Sequence, residues 1–274
     1  MMRILIATGG AAHSDIAVQM GAQIVGAANL SLTLLTVIKH EVEYCNAEAI
    51  LARAVFHAAL DAAKVRTRIR VGNPAKEIIR ESEEGSYDLV IVGSRPTHNL
   101  LTRLLGSTAE WVVSHAPCPV LIAKEAPGPI RRILLCVSGA NAPSPHTLFV
   151  ARLLPLLDGP CTITVLHVMS QISAGPTASA EWQLSAGAAE LIQKNEPEGK
   201  LLQNDILPLA QSQAYVQPRI RHGPVVEEIL SEARDVSYDL IVIGTHQSRG
   251  WQRFLLDDLA HQIVVQADRS VLVV

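Results

Sequence analysis

The 274-residue sequence predicts two doubly wound α/β domains in tandem, each a parallel sheet with helices on both faces. Three observations carry that expectation. The chain repeats itself once, short β-branched runs alternate with longer amphipathic ones, and the short runs are apolar throughout instead of alternating with polar residues. Continuous apolar strands are what a sheet covered on both faces requires.

The repeat is read from three blocks. Arg3-Ile4-Leu5-Ile6-Ala7-Thr8-Gly9-Gly10 recurs as Arg132-Ile133-Leu134-Leu135-Cys136-Val137-Ser138-Gly139. Leu35-Thr36-Val37 recurs as Leu166-His167-Val168, and Ser86-Tyr87-Asp88-Leu89-Val90-Ile91-Val92-Gly93 as Ser237-Tyr238-Asp239-Leu240-Ile241-Val242-Ile243-Gly244. The second copy carries about twenty extra residues between its second and third blocks, within Met169 to Val216, a Ser-, Ala- and Gly-rich stretch expected to form a longer loop-helix region. Ala126-Pro127-Gly128-Pro129 has linker composition, which divides the chain into domains at 1–125 and 131–274.

In the first copy, Ile4 to Thr8, Leu32 to Val37, Val65 to Val71, Leu89 to Val92 and Val120 to Ala123 are the expected strands. Between them Ala17, Met20, Gly21 and Ile24 keep helical spacing, as do Ile50, Leu51, Ala54, Val55 and Ala58, and then Ile78, Ile79 and Ser82. Ser14 is expected to cap the first helix. Right-handed crossovers then place any ligand at the carboxyl ends of the strands.

Composition narrows the function classes. Hydrophobic residues are 49% and charged residues 18%, too apolar for a disordered chain; 23 basic against 26 acidic residues give a net charge of -3, which offers nucleic acid no basic surface. The apolar stretch from Ile16 to Val37 is broken by Gln19, Gln23, Asn29 and Ser31, so no membrane span is expected, and the N-terminus lacks a signal-like core. A cytoplasmic protein is the expectation. Cys45, Cys118, Cys136 and Cys161 have no metal or disulfide spacing and are expected as buried thiols. The ten histidines include His57 with Asp61 at i, i+4 and His40 near Glu41 and Glu43, neither with a metal-binding spacing.

The most specific pattern follows the fourth strand: Gly93-Ser94-Arg95-Pro96, nine residues, Gly106-Ser107-Thr108-Ala109-Glu110, then Pro117-Cys118-Pro119-Val120-Leu121-Ile122. Together with Gly72-Asn73-Pro74-Ala75 it resembles the universal stress protein family over the whole chain, as a tandem pair. That resemblance implies an adenine nucleotide alpha hydrolase-like, Rossmann-like fold and a non-catalytic, stress-linked module that binds ATP or AMP, with magnesium only where ATP is bound. It assigns the nucleotide to Thr8, Gly9, Gly10, Val37, Gly72, Gly93, Ser94, Arg95, Arg103, Gly106, Ser107 and Thr108. It also implies that the last strands, Val120 to Ala123 and Val271 to Val274, pair the domains as an internal pseudo-dimer, with an unknown protein partner or a homodimer beyond that.

The physical basis is the helix that Gly106 precedes: free amides and roughly half a positive charge at a helix start attract a phosphate. Gly93, lacking a Cβ, would let a ligand lie against the strand end, and Arg95 or Arg103 would reach outer phosphates. The competing account is that Ser107 and Glu110 form a capping box and use up those amides. Departures from the family pattern are Pro96 in place of a second loop glycine, and Gly9 and Ser138 where nucleotide-binding members carry an aspartate. The second copy has Asp257 and Asp258 at the positions of Gly106 and Ser107. A phosphate there would be repelled by about 4 kcal/mol per unit charge at about 4 Å and an effective dielectric of about 20, so binding is expected mainly in the N-terminal domain.

Three further readings belong to other classes. A nucleotide-free interaction module would retain the fold and present only surfaces. An ATP pyrophosphatase-type enzyme would use Thr8-Gly9-Gly10-Ala11-Ala12-His13-Ser14, but Ala12 stands where that loop needs Asp. A phospho-accepting receiver fails for want of acidic residues at Gly9-Gly10 and Val71-Gly72.

Overall fold

The computed structural model describes residues 1–24, 30–94, 105–124, 128–138, 143–170, 187–245 and 258–274. In the N-terminal half, strands β1 (Met2–Ala7), β2 (Leu30–Ile38), β3 (Val65–Val71), β4 (Leu89–Gly93) and β5 (Val120–Ala123) alternate with helices α1 (Ala12–Ile24), α2 (Tyr44–His57), α3 (Pro74–Gly85) and α4 (Ser107–His115). The C-terminal half has β6 (Arg132–Val137), α5 (Pro145–Leu153), β7 (Thr162–Met169), α6 (Ala188–Gln193), α7 (Pro197–Ala210), β8 (Tyr215–His222), α8 (Val225–Asp235), β9 (Leu240–Ile243), α9 (Asp258–Gln266) and β10 (Ser270–Val273). The helix α7 precedes β8 as α2 precedes β3, so among the described residues the extra part of the second copy includes α6.

All ten strands form one sheet in the order β3-β2-β1-β4-β5-β10-β9-β6-β7-β8. Neighbours are parallel except β5 and β10, which run antiparallel with Val120 opposite Val273 and Ile122 opposite Val271. The expected pairing of the last strands is therefore what joins the halves. Lys124 fastens the seam: its Nζ donates to the carbonyls of Val264 and Ala267 at the end of α9, where a cation meets the negative end of the helix. Arg152 of α5 reaches Asp88 across the halves at 3.1 Å.

The edge strands β3 and β8 carry polar residues and are exposed or half-buried throughout, so Val65–Val71, with Arg66, Thr67, Arg68 and Arg70, is not the continuous apolar run expected; each inner strand sends alternate residues to opposite faces, and both are buried. Ile4, Ile6, Ile133 and Leu135 belong to one apolar layer, Leu5, Val90, Leu134 and Ile241 to the other, and both layers run through the two halves. Burying one such side chain is worth about 1.5–3 kcal/mol, which is why these strands tolerate no polar alternation.

The repeated Ser-Tyr-Asp block proves to be scaffold. The Asp88 carboxylate accepts from the amide of Arg3 at 2.8 Å, and Asp239 accepts from those of Arg131 and Arg132 at 2.8 and 2.7 Å, so each aspartate pins the start of the neighbouring first strand. Tyr87 donates its hydroxyl to Glu81, and Tyr238 donates to Glu232, both at 3.0 Å. Each of those glutamates also meets an arginine on the edge strand: Arg70 grips Glu77, Glu81 and Glu84, and Arg221 grips Glu228, Glu232 and Asp235. Burial pushes both tyrosines up, Tyr238 to about 12, with the glutamates adding to the shift.

Candidate functional site

In the N-terminal half the strand order reverses between β1 and β4, so a crevice at their carboxyl ends is where a ligand fits a sheet of this kind. The loop after β1 turns into α1, the end of β2 stands beside it, and α4 starts opposite. These elements bring the assigned residues to one end of the sheet. Arg95, Pro96 and Arg103 lie outside the described residues.

The loop after β1 is closed on itself. Thr8 is buried, its hydroxyl donates to Ser14 Oγ at 3.3 Å and accepts from the Gly10 amide at 3.3 Å, while the Gly9 amide donates to Ser14 Oγ at 3.2 Å. Ser14 is not the cap expected of it. The helix begins at Ala12, and Ser14 sits in its first turn holding the preceding loop. The Thr8 carbonyl accepts from Thr36 of β2 at 3.0 Å, which ties the ends of β1 and β2 together. Gly9 has nothing within 4 Å of where a Cβ would stand, so the place of the absent aspartate is open space.

Gly93 serves a different purpose from the one expected. A Cβ there would stand 1.9 Å from the carbonyl oxygen of His13, so the glycine makes room for the main chain of α1 and not for a ligand. The Ser94 amide is used by the Ala123 carbonyl at 2.9 Å, continuing the sheet. Gly72 closes the end of β3 at φ +146°, and its counterpart Gly223 repeats this at φ +143°. Each has the glutamate of the following helix where a side chain would go, and any other residue would be strained there. Asn73 caps α3, accepting from the Lys76 amide at 3.2 Å, so Gly72-Asn73-Pro74 is a built helix start. Val37 is half-buried near the end of β2.

The helix at Gly106 decides between the two accounts of its amides. Gly106 is itself the N-cap, with φ −59° and ψ 139°, and has no side chain to cap with; Ser107 is the first helical residue and is exposed. The capping box is not formed. Glu110, which the box required, faces His261 of α9 at 3.5 Å instead. Thr108 and Gly106 are half-buried above the buried Leu105 and Ala109.

The C-terminal half holds a cavity of about 440 Å³ at the corresponding place, the carboxyl ends of β6, β7 and β9 and the starts of α5, α8 and α9. Three residues that sequence reasoning passed over organise it: His146, Glu198 and Asp205. His146 occupies the position of His13, and the missing side chain of Gly244 leaves room for its imidazole, as Gly93 does for the main chain of α1. Asp205, from α7, is fully buried and accepts through Oδ1 from the Ser144 amide, the Ser144 hydroxyl and the Thr147 hydroxyl at 2.8, 2.7 and 2.6 Å. The only sequence trace of this was the pair of similar helix starts, His13-Ser14 and His146-Thr147.

The thiols do not form one buried set. Cys136 and Cys161 are buried and Cys118 half-buried, but Cys45 is exposed, because it lies on the outer side of α2. Burial pushes Cys118 up to about 12 and raises Cys136 and Cys161 as well. Among the described residues no group of three or more His, Cys, Asp or Glu is placed to hold a metal, and no helix is long and apolar enough to cross a membrane.

Fold and crevice together define a tandem α/β protein of the Rossmann-like class, with a ligand-sized opening at the carboxyl ends of its strands. The universal stress protein family model matches residues 1–124 and again 129–274, and the chain belongs to that family. Universal stress protein G of Salmonella typhimurium is 37% identical over 78 residues, 28% of this chain and 54% of that protein, so the match spans about half the relative's length. A universal stress protein from Archaeoglobus fulgidus matches across 99% of this chain and 97% of its own at 18% identity, with a TM-score of 0.69. A protein of unknown function from Pseudomonas aeruginosa matches across 100% and 92% at 21% identity, with a TM-score of 0.70. These structural likenesses concern the fold.

Proposed function

We propose that the chain is a non-catalytic regulatory module of two domains, whose N-terminal half binds an adenine nucleotide, ATP or AMP, and passes its occupancy to a protein partner. The observation that carries this is the start of α4: Gly106 as N-cap has no side chain to offer, and among the described residues no hydrogen bond engages the amides of Ser107 and Thr108, which suits them to an anion. In this reading Val37 offers main chain to the purine, and the loop of Thr8, Gly9 and Gly10 shapes the crevice without lending amides. The half-positive helix end is worth about 0.3–1 kcal/mol toward a negative group at an exposed position.

Calorimetric titration of the full chain with AMP and with ATP-Mg tests it. Saturable binding that is lost in Gly106→Asp supports the reading, and binding that survives this change removes the α4 start from the site. Nucleotide-free interaction is favoured by one observation of its own, the open space beside Gly9 where the family pattern has an aspartate. Gly9→Asp separates the two: it raises nucleotide affinity if the site is used and creates none if the site is lost.

A further inference from the structure

We propose that the cavity of the C-terminal half is a second ligand site with a chemistry of its own, which takes a small amine with an apolar body and no phosphate. This goes beyond the nucleotide reading and does not depend on it.

The polar atoms in the wall make the case. The hydroxyl of Ser144 is committed to Asp205 and Thr147, His167 Nδ1 contacts the Val137 carbonyl at 3.0 Å, and the Thr245 hydroxyl donates to the Val274 carbonyl. Two buried atoms remain without a partner, His146 Nε2 and Glu198 Oε2, and both residues line the cavity. His146 is only 5% exposed, so water does not satisfy it from outside. Its other ring nitrogen donates to the Cys136 carbonyl, and burial holds the ring neutral, with Asp205 and that carbonyl opposing. Nε2 is therefore a lone pair directed at a donor.

A lone pair and a carboxylate are both acceptors, so the ligand they suit brings N–H groups. The rest of the wall is largely apolar, including Leu166, Val168, Ile229, Ile243 and Ile263, and suits an aromatic or aliphatic body. None of the described lining residues is Lys or Arg, and Asp258 opens α9 where the N-terminal half has Ser107. Among the described lining residues phosphate finds no cation. About 440 Å³ is within the usual range for a small-molecule site, roughly 300–1,000 Å³.

Matched pairs with one ring system and opposite charge test this on the full chain: tryptamine against indole-3-acetate, and phenethylamine against phenylacetate, by titration calorimetry and ligand-observed NMR. Each amine is expected to bind about tenfold or more tightly than its acid, the scale of one favourable ion contact. Glu198→Gln should erase most of that preference, and His146→Phe, which keeps the ring but not the acceptor, should weaken the amine. Leu259→Trp, a change at a partly exposed lining residue, should fill the cavity and abolish binding, whereas Gly106→Asp should leave it unchanged. The proposal is overturned if no amine saturates at millimolar concentration, if the acids bind as well as the amines, or if Leu259→Trp leaves amine binding intact.

Discussion

Replacing Asp205 tests whether α7 holds the start of α5 or is merely packed beside it. Its carboxylate is wholly buried, and one oxygen accepts three hydrogen bonds of 2.6–2.8 Å from Ser144 and Thr147 at the start of α5. In Asp205→Ala the two hydroxyls keep each other at 2.7 Å, so the principal loss is the Ser144 amide, orphaned in the interior. An unsatisfied buried donor costs about 1–3 kcal/mol, and losing an anion from a partly buried helix start adds up to about 2 kcal/mol. Against this, removal also relieves the burial of Oδ2, which has no partner. The net expectation is a loss of about 2–4 kcal/mol, read by urea unfolding, or a Tm lower by about 4–16 °C at about 2–4 °C per kcal/mol. Asp205→Asn keeps an acceptor for the Ser144 amide and should cost about 1 kcal/mol. Asp205→Ala within about 0.5 kcal/mol of wild type, or Ala and Asn costing the same, would refute the assignment of Asp205 as the anchor of α5.

Three other outcomes follow from the geometry. Gly93→Ala drives a methyl into the His13 carbonyl and should destabilise by at least about 1–3 kcal/mol, whereas Gly9→Ala meets nothing and should stay within about 0.5 kcal/mol; equal costs by chemical unfolding would contradict the packing of α1 on β4. Tyr238 titrates near 12 in the folded chain against about 10 unfolded, so its contribution is intact below pH about 10 and disappears as pH rises toward 12. Tyr238→Phe should therefore show a shallower alkaline loss of stability in that window, and an unchanged slope would place the tyrosine elsewhere. Among the four thiols, iodoacetamide at about pH 8 should modify Cys45 first, because it is exposed while burial disfavours the thiolate at the other three. Peptide mass mapping that found Cys136 or Cys161 labelled in the native protein at a comparable rate would contradict their burial.

Much of the frame was legible because its signals are local. The β-branched apolar runs at Ile4, Leu32, Leu89 and Val120 are strands buried on both faces, and the repeated blocks doubled that pattern, whereas the run at Val65 is a strand whose edge position leaves its arginines exposed or half-buried. The joining of Val120–Ala123 to the final strand was implied by the family resemblance, and the cost of exposing an apolar edge is its physical reason. The site was legible only in part. The Gly106-Ser107-Thr108 start was found, but Ser107 and Glu110 fit a capping-box pattern equally well, and the choice depends on where Gly106 places the first turn.

The sequence by itself determined the α/β alternation, the doubling of the unit and the end of the sheet where a ligand belongs, since hydrophobic period and turn chemistry act over a few residues. Only the tertiary structure decided that Gly93 makes room for α1, that the repeated Ser-Tyr-Asp blocks brace the scaffold, and that His146, Glu198 and Asp205 converge on one region. Those facts rest on atoms far apart along the chain, 61 residues in the bond from Ser144 to Asp205 and 108 in that from Arg131 to Asp239, and no local pattern encodes such a meeting. It is fixed by how helices from distant segments pack on a common sheet.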